Sequence, residues 1–228
     1  MIRALLIDMD DTLYDERSYV LSGFRAVAAE IARRFAAADE GALFGNMVAE
    51  LDANGRGRVF DVALARAGIS GDPSQISELV EVYRTHAPDL MLWPGVSETL
   101  ADLRGDHRLA IVTDGLGVMQ RRKVAALGLN ERVDAVVYCW EYDAPKPDPA
   151  GYLHALRVLG AGADEAVVIG DRPDHDMAVA AAIGSRAIRV LTGRHAGVGL
   201  AGLSPDATVA DFTETPAVLS GWKLGATG

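Results

Sequence analysis

Ala4-Leu5-Leu6-Ile7-Asp8-Met9-Asp10-Asp11-Thr12 opens on four apolar residues and places three carboxylates in the four positions that follow Ile7. A short unbroken apolar run suits a strand buried on both faces, the condition of a parallel sheet. Four further runs of this kind lie at 109–112, 135–138, 166–169 and 187–191, each flanked by helix-like stretches. Helical patterns over 118–127, 150–159 and 177–183 separate the later runs. Gly128, Gly160 and Gly184 stand where helix C-terminal glycines belong. The alternation predicts an open α/β sheet with right-handed crossovers.

One interval breaks the rhythm. The first run and the second are separated by roughly a hundred residues, several times the ~30 of a simple β-α-β unit. The stretch 94–104 makes a natural crossover helix, with Pro94 and Gly95 at its start. About 14–88 is then surplus, with helical patterns over 20–35, 42–51, 59–67 and 76–83. The expected organisation is a core of 1–13 and 89–228 interrupted by an all-helical insert at 14–88. The segment from Gly193 onward, rich in Gly, Ala and Thr, is expected to be loop and surface.

The chain has 228 residues, half of them apolar, and a formal charge of −10. That field repels nucleic acid and anionic membrane surfaces, so neither is an expected partner. A phosphate ester is also an anion, so any phosphate site must be built locally from a cation and backbone donors. The single cysteine, Cys139, rules out an internal disulfide and fits a reducing compartment. The first residues hold too few apolar positions for a signal peptide, and no run approaches the ~18 of a membrane span. A cytoplasmic monomer or homodimer is expected.

Ligands of an open parallel sheet bind at the carboxyl ends of its strands. Asp8, Asp10, Asp11 and Thr12 follow the first run, and Thr113 and Asp114 follow the second. Glu141 and, further on, Lys146 follow the third, while Gly170, Asp171, Asp174 and Asp176 close the fourth. Acids gathered where water is partly excluded repel one another, and a divalent cation with oxygen ligands is the simplest compensation. Phosphoryl transfer needs an in-line nucleophile, neutralised phosphoryl oxygens and a proton for the leaving alcohol. Asp8 can serve as nucleophile, and Asp10 can protonate the leaving oxygen and then activate water. These roles ask for an ionised Asp8 and an Asp10 that holds a proton part of the time. Thr113 and Asp114 with the amides beside them, and Lys146, are the candidate phosphoryl contacts. Asp171 would complete a metal shell.

With these residues in order, the chain resembles the haloacid dehalogenase superfamily. Asp8 to Thr12 match its first motif, Thr113 its second, Lys146 in Lys146-Pro147-Asp148-Pro149 its third, and Gly170-Asp171 with Asp176 its acidic fourth. The insert resembles that family's type-1 helical cap. The resemblance implies a Rossmann-like doubly wound core, Mg²⁺, a nucleophilic Asp8 and an acid/base Asp10. It implies metal contact from the Asp8 carboxylate, the Asp10 main-chain oxygen and Asp171, with Asp176 in support. Two departures stand out. Asp114 occupies a position commonly held by asparagine, and Arg172, Pro173 and His175 fill the fourth motif where Ser and Asn are common. Asp10 favours phosphoryl chemistry, since dehalogenases of the superfamily lack an acid there.

The expected activity is therefore Mg²⁺-dependent hydrolysis of a small phosphorylated metabolite, such as a sugar phosphate or nucleoside monophosphate. A phosphomutase and a non-catalytic phospho-receiver module are the alternatives. Arg56 and Arg58, in a glycine-spaced turn of the insert, are either contacts to an anionic substrate or a solvated turn. His175 and Cys139 read as structural residues. Tyr14, Tyr19, Phe60, Trp93, Trp140 and Tyr142 are aromatics that would permit packing on a base or a sugar.

Overall fold

The computed structural model describes residues 1–225. They form two compact units, Met1–Glu16 with the chain from Leu90 onward, and Arg17–Asp89. The first unit holds a sheet of six parallel strands. They are β1 (Ala4–Ile7), β2 (Arg108–Thr113), β3 (Ala135–Tyr138), β4 (Ala166–Gly170), β5 (Arg186–Val190) and β6 (Ala207–Val209), in spatial order β3-β2-β1-β4-β5-β6. This is the Rossmann-like, doubly wound order, and its direction reverses beside β1. Leu6 pairs with Ala110 on one side and Val168 on the other, so β1 is the central strand.

The apolar runs are buried because both sheet faces are covered. Ala4, Leu5, Leu6 and Ile7 have no exposed surface. One face packs Leu6, Val112, Val137 and Val168 with Tyr152, Ala155 and Leu156 of α7 (Ala150–Leu159) and Val179 and Ala180 of α8 (Ala178–Ile183). Parallel strands need such crossover helices, and two more, α5 (Val96–Asp106) and α6 (Gly117–Ala126), lie on either side of β2 in the chain. Gly128 and Gly160 stand in left-handed conformation just beyond the helices α6 and α7.

The second unit is all helical: α1 (Glu16–Arg34, entered from the sheet unit), α2 (Glu40–Asn54), α3 (Val59–Arg66) and α4 (Pro73–Thr85). Val20, Phe24, Val27 and Ile31 of α1 meet Leu43 and Met47 of α2, Ala63 and Leu64 of α3, and Leu79 of α4 in its own core. Asp72 caps α4 through the amides of Ser74 and Gln75, and Gln75 answers to the Asp72 amide, a reciprocal capping box with Pro73 at the first helical position. No helix among the described residues is long and apolar enough to cross a membrane.

The expectation of a structureless tail is overturned. β6 pairs in parallel with β5, and α9 (Thr215–Gly225) follows. β6 is only three residues long, and an acid holds it in place. Asp206 accepts a hydrogen bond from the Ala187 amide at 2.8 Å, while its own amide donates to the Ala187 carbonyl. Phe212, fully buried, anchors the turn before α9.

Truncating Leu6 at the sheet centre to alanine should cost about 2–5 kcal/mol of unfolding free energy. Leu153→Ala, on the exposed face of α7, should stay within about 0.5 kcal/mol of wild type. Chemical denaturation of the two variants measures both.

Candidate active site

Asp8 is held at the end of β1 by the sheet itself, because its amide donates to the Ile169 carbonyl at 2.9 Å and continues the ladder one residue further. Its side chain is buried. One oxygen accepts from Lys146 Nζ and the other from Thr12 Oγ1 at 3.2 Å. Lys146 Nζ also donates to Asp176 Oδ1 at 2.8 Å, and the Tyr152 hydroxyl donates to the same oxygen at 2.8 Å. The ammonium thus bridges the first strand end to the fourth. Asp176 reaches it from a single π-helical turn, Pro173–Met177, that widens the chain before α8. Such turns recur at functional sites because they re-aim one side chain. Gly170 makes room for that turn: a Cβ there would lie 2.4 Å from the Asp176 carboxylate.

Asp171 completes the group. It is 1 % exposed, and neither of its carboxylate oxygens has a hydrogen-bond partner in the protein. Asp8, Asp171 and Asp176 bring one oxygen each to within 4.8 Å of one another. Asp176 has Lys146, Tyr152 and the Arg172 amide on its oxygens, so the bare pair of oxygens belongs to Asp171. An unpartnered buried carboxylate is costly unless something else meets it. Hard oxygen donors at this spacing fit a divalent cation such as Mg²⁺.

Electrostatics follow the same geometry. Burial, with Asp176 beside it, pushes the Asp8 carboxyl up to about 7 against the opposing pull of Lys146. Burial and the neighbouring Asp8 and Asp176 push Asp171 up to about 9. Burial alone would lower Lys146, but Asp176 and Asp8 hold it well above the ordinary lysine value.

Asp10 behaves differently. Burial would raise it, yet Lys123, with hydrogen bonds from Tyr14 and Gln120, carries it below the usual carboxylate range. Without a cation, Asp8 is raised and Asp10 lowered; the expected split, with Asp8 ionised and Asp10 partly protonated, belongs to a site with metal in contact with Asp8. Asp10 is lowered because it faces an ammonium of its own. Lys123 Nζ lies 2.8 and 3.0 Å from its two oxygens, and Gln120 Nε2 lies 2.8 Å from Oδ2.

Asp11 turns away from Asp8, at φ 56°. Its carboxylate accepts from the amides of Glu16 at 3.0 Å and Arg194 at 3.3 Å, and its carbonyl accepts from Thr192 Oγ1 at 2.5 Å. The loop after β5 therefore braces the loop after β1. Gly193, at φ 67°, is required there, since a Cβ would fall 2.2 Å from Asp11 Cγ.

Thr113 ends β2 beside this cluster, with its hydroxyl oxygen 2.6 Å from Gln120 Nε2, and Asp114 Oδ1 is buried without a partner. Glu141 leaves the site: it is exposed and pairs with Arg121, so the third strand end contributes no carboxylate. His175 Nδ1 lies 3.2 Å from Asp174, itself paired with Arg172. Cys139 is fully buried, and burial pushes its thiol up to about 12, an inert core residue. Arg56 and Arg58 are exposed on the turn between α2 and α3 of the helical unit. Tyr14, grouped with the stacking aromatics from sequence, is instead fully buried with its hydroxyl on Asp10. Lys123, Gln120 and Tyr152 carry no sequence motif. The one available signal was polar residues at helical spacing on α6.

The chain is similar to known proteins over most of its length. The haloacid dehalogenase-like hydrolase family matches residues 2–184. The chain is 33 % identical over 202 residues to the glyceraldehyde 3-phosphate phosphatase of Methanopyrus kandleri, covering 86 % of each. It is 34 % identical over 160 residues to the phosphoserine phosphatase of Thermus thermophilus, covering 70 % of this chain and 63 % of that one. Among solved structures, a 2-haloacid dehalogenase from Pseudomonas syringae superposes with a TM-score of 0.68 at 29 % identity, covering 97 % of this chain and all of the other. With four strand-end motifs in place and a family match over most of its length, the chain belongs to the haloacid dehalogenase-like hydrolases.

Proposed function

We propose that this hydrolase is a Mg²⁺-dependent phosphatase that cleaves a small phosphorylated metabolite through an aspartyl-phosphate on Asp8. The observation that carries the proposal is the pairing of a buried Asp8, gripped by Lys146 and Thr12, with an Asp171 whose oxygens have no protein partner. Asp8, Asp171 and the Asp10 main-chain oxygen would hold the cation, with Asp176 in support through Lys146. When bound, Mg²⁺ would favour the ionised form of the two carboxyls whose values burial raises and would offset charge on the phosphoryl oxygens.

In the first step an Asp8 oxygen attacks phosphorus in line. The bond from phosphorus to the leaving oxygen breaks, its electron pair stays on that oxygen, and Asp10, in the protonated form that the second step regenerates, supplies the proton. In the second step water attacks the same phosphorus and gives its proton to Asp10. The bond to Asp8 breaks, releasing inorganic phosphate and the Asp8 carboxylate. Lys146 holds Asp8 and offers positive charge to the phosphoryl group, and Thr113 donates a hydrogen bond to it. The helical unit would act as a cap that selects the substrate, and Arg56 and Arg58 are its candidate anion contacts.

Both curated relatives are named for small phosphate monoesters, which places glyceraldehyde 3-phosphate and phosphoserine first among substrates to test. The dehalogenase likeness favours a second reading, displacement of halide by Asp8. Asp10 weighs against it, because halide leaves without a proton.

Phosphate release from a panel of sugar phosphates, nucleoside monophosphates and the two esters above should require Mg²⁺ and disappear in Asp8→Asn. Asp10→Asn should lose about 10²–10⁴-fold. Halide release from 2-haloacids without phosphate release would overturn the proposal.

Cation affinity should depend on pH with a defined sign. Asp8 and Asp171 carry raised values, so at low pH the cation must displace protons. The Mg²⁺ affinity measured by calorimetry should tighten by up to ~10-fold per pH unit per proton displaced as pH rises from about 6 to about 9. Raised carboxyl values also mean that the cation-free fold holds protons the unfolded chain has lost above ~pH 4. Its thermal midpoint should fall as pH rises from about 4 to about 9, and Mg²⁺ should reverse the loss.

A further inference from the structure

Given Asp8 as nucleophile and Asp10 as proton carrier, on which this inference rests, we infer that Lys123 and Gln120 of α6 are positioning residues. They fix the Asp10 carboxyl and orient the Thr113 hydroxyl for the phosphoryl group.

Asp10 lies beyond the last residue of β1, where the sheet ladder no longer holds it. Four hydrogen bonds from three side chains hold it instead. Oδ1 accepts from the Tyr14 hydroxyl and from Lys123 Nζ at 2.8 Å, and Oδ2 accepts from Lys123 Nζ at 3.0 Å and Gln120 Nε2 at 2.8 Å. Lys123 and Gln120 are 3 % and 2 % exposed. They stand three residues apart, so one face of α6 presents both. Together with Val124 they are the side chains α6 buries. A helix docked only for stability would bury apolar residues at those positions, whereas here a buried ammonium and a buried amide meet one carboxylate.

Gln120 ties a second group. Its Nε2 also lies 2.6 Å from Thr113 Oγ1. The amide nitrogen, not its oxygen, faces both Asp10 Oδ2 and Thr113 Oγ1. The amide's two hydrogens are then directed to Asp10 and Thr113. Thr113 Oγ1 accepts from Gln120, so its own single hydrogen is free to point elsewhere, toward an incoming phosphoryl oxygen. One glutamine thus registers the proton carrier at the first strand end against the hydroxyl at the second. The turn after Thr113 leads directly into the helix that supplies both clamps.

A misplaced Asp10 should harm the reaction selectively. An alkoxide leaving group needs the proton as its bond to phosphorus breaks, while 4-nitrophenolate departs without one. Single-turnover rapid quench with Mg²⁺ would follow alcohol release and Asp8 phosphorylation from 4-nitrophenyl phosphate and from phosphoserine or glycerol 3-phosphate, whichever turns over faster. Lys123→Met should slow phosphorylation by the alkyl ester at least ~100-fold, in line with general-acid contributions. The 4-nitrophenol burst should fall by less than about tenfold. Gln120→Leu should show the same selectivity at smaller size, and it decides the question if Lys123→Met does not fold. Equal losses on both esters, or none, overturn the inference while leaving Asp8 as nucleophile. A wild type that forms no phosphoenzyme from either ester overturns the underlying mechanism and this inference with it.

Discussion

The cluster of Asp8, Asp171 and Asp176 at the carboxyl edge of this sheet is organised around one buried ammonium. Lys146 Nζ sits between Asp8 and Asp176 with almost no access to solvent, and Tyr152 presents its ring at 5.3 Å and its hydroxyl to the same Asp176 oxygen. An ammonium taken out of water costs several kcal/mol, and its partners offset that only when geometry leaves no donor unmet. The fold spends three separate devices on that geometry. The β1 ladder runs on to the Asp8 amide, a π turn brings Asp176 inward, and Gly170 keeps the space between them open. Removing the ammonium would leave two adjacent buried carboxylates, so the loop carrying Lys146 and the ends of β1 and β4 stand or fall together.

The strands were legible because their physics is one-dimensional. A residue buried on both faces must be apolar at every position, and the runs at 4–7 and 135–138 coincide with β1 and β3 to the residue. Catalytic candidates were legible because an acid directly after such a run has no structural reason to be there. Asp8, Asp171 and Asp176 do converge. The reading failed where a short element borrows its stability from a neighbour. β6 is three residues of ordinary composition, made a strand by the Asp206 clasp on Ala187. Glu141 failed for a related reason: a turn of 3₁₀ helix after β3 carries it out to Arg121.

Polar residues buried on helices were the harder case. Lys123 and Gln120 look like ordinary solvated positions of α6, because no sequence pattern distinguishes a lysine facing water from one facing a carboxylate a hundred residues earlier. Tyr14 was visible only as an aromatic, and its hydroxyl rather than its ring is what the site uses. Such long-range pairings are fixed by topology. β1 and β2 are neighbours in the sheet, so the loop after one and the helix after the other share a common edge.

That shared edge divides the site's charge into two compartments. On one side Lys146 stands among Asp8, Asp171 and Asp176, where carboxyls outnumber ammonium groups and burial drives two of them toward protonation. On the other, Lys123 matches Asp10 one to one and keeps it ionised. A divalent cation entering the first compartment would supply the missing positive charge. The two carboxylates then acquire different tasks from their surroundings rather than from their chemistry. Asp8, buried beside Lys146, would serve as the proposed nucleophile once a cation offsets the excess of carboxyls around it. Asp10, held by four hydrogen bonds from three side chains, would take its proton in the proposed mechanism from the water that attacks the phosphoenzyme. In the proposed cycle, the proton that Asp10 takes from that water is the one it returns to the leaving oxygen of the next substrate.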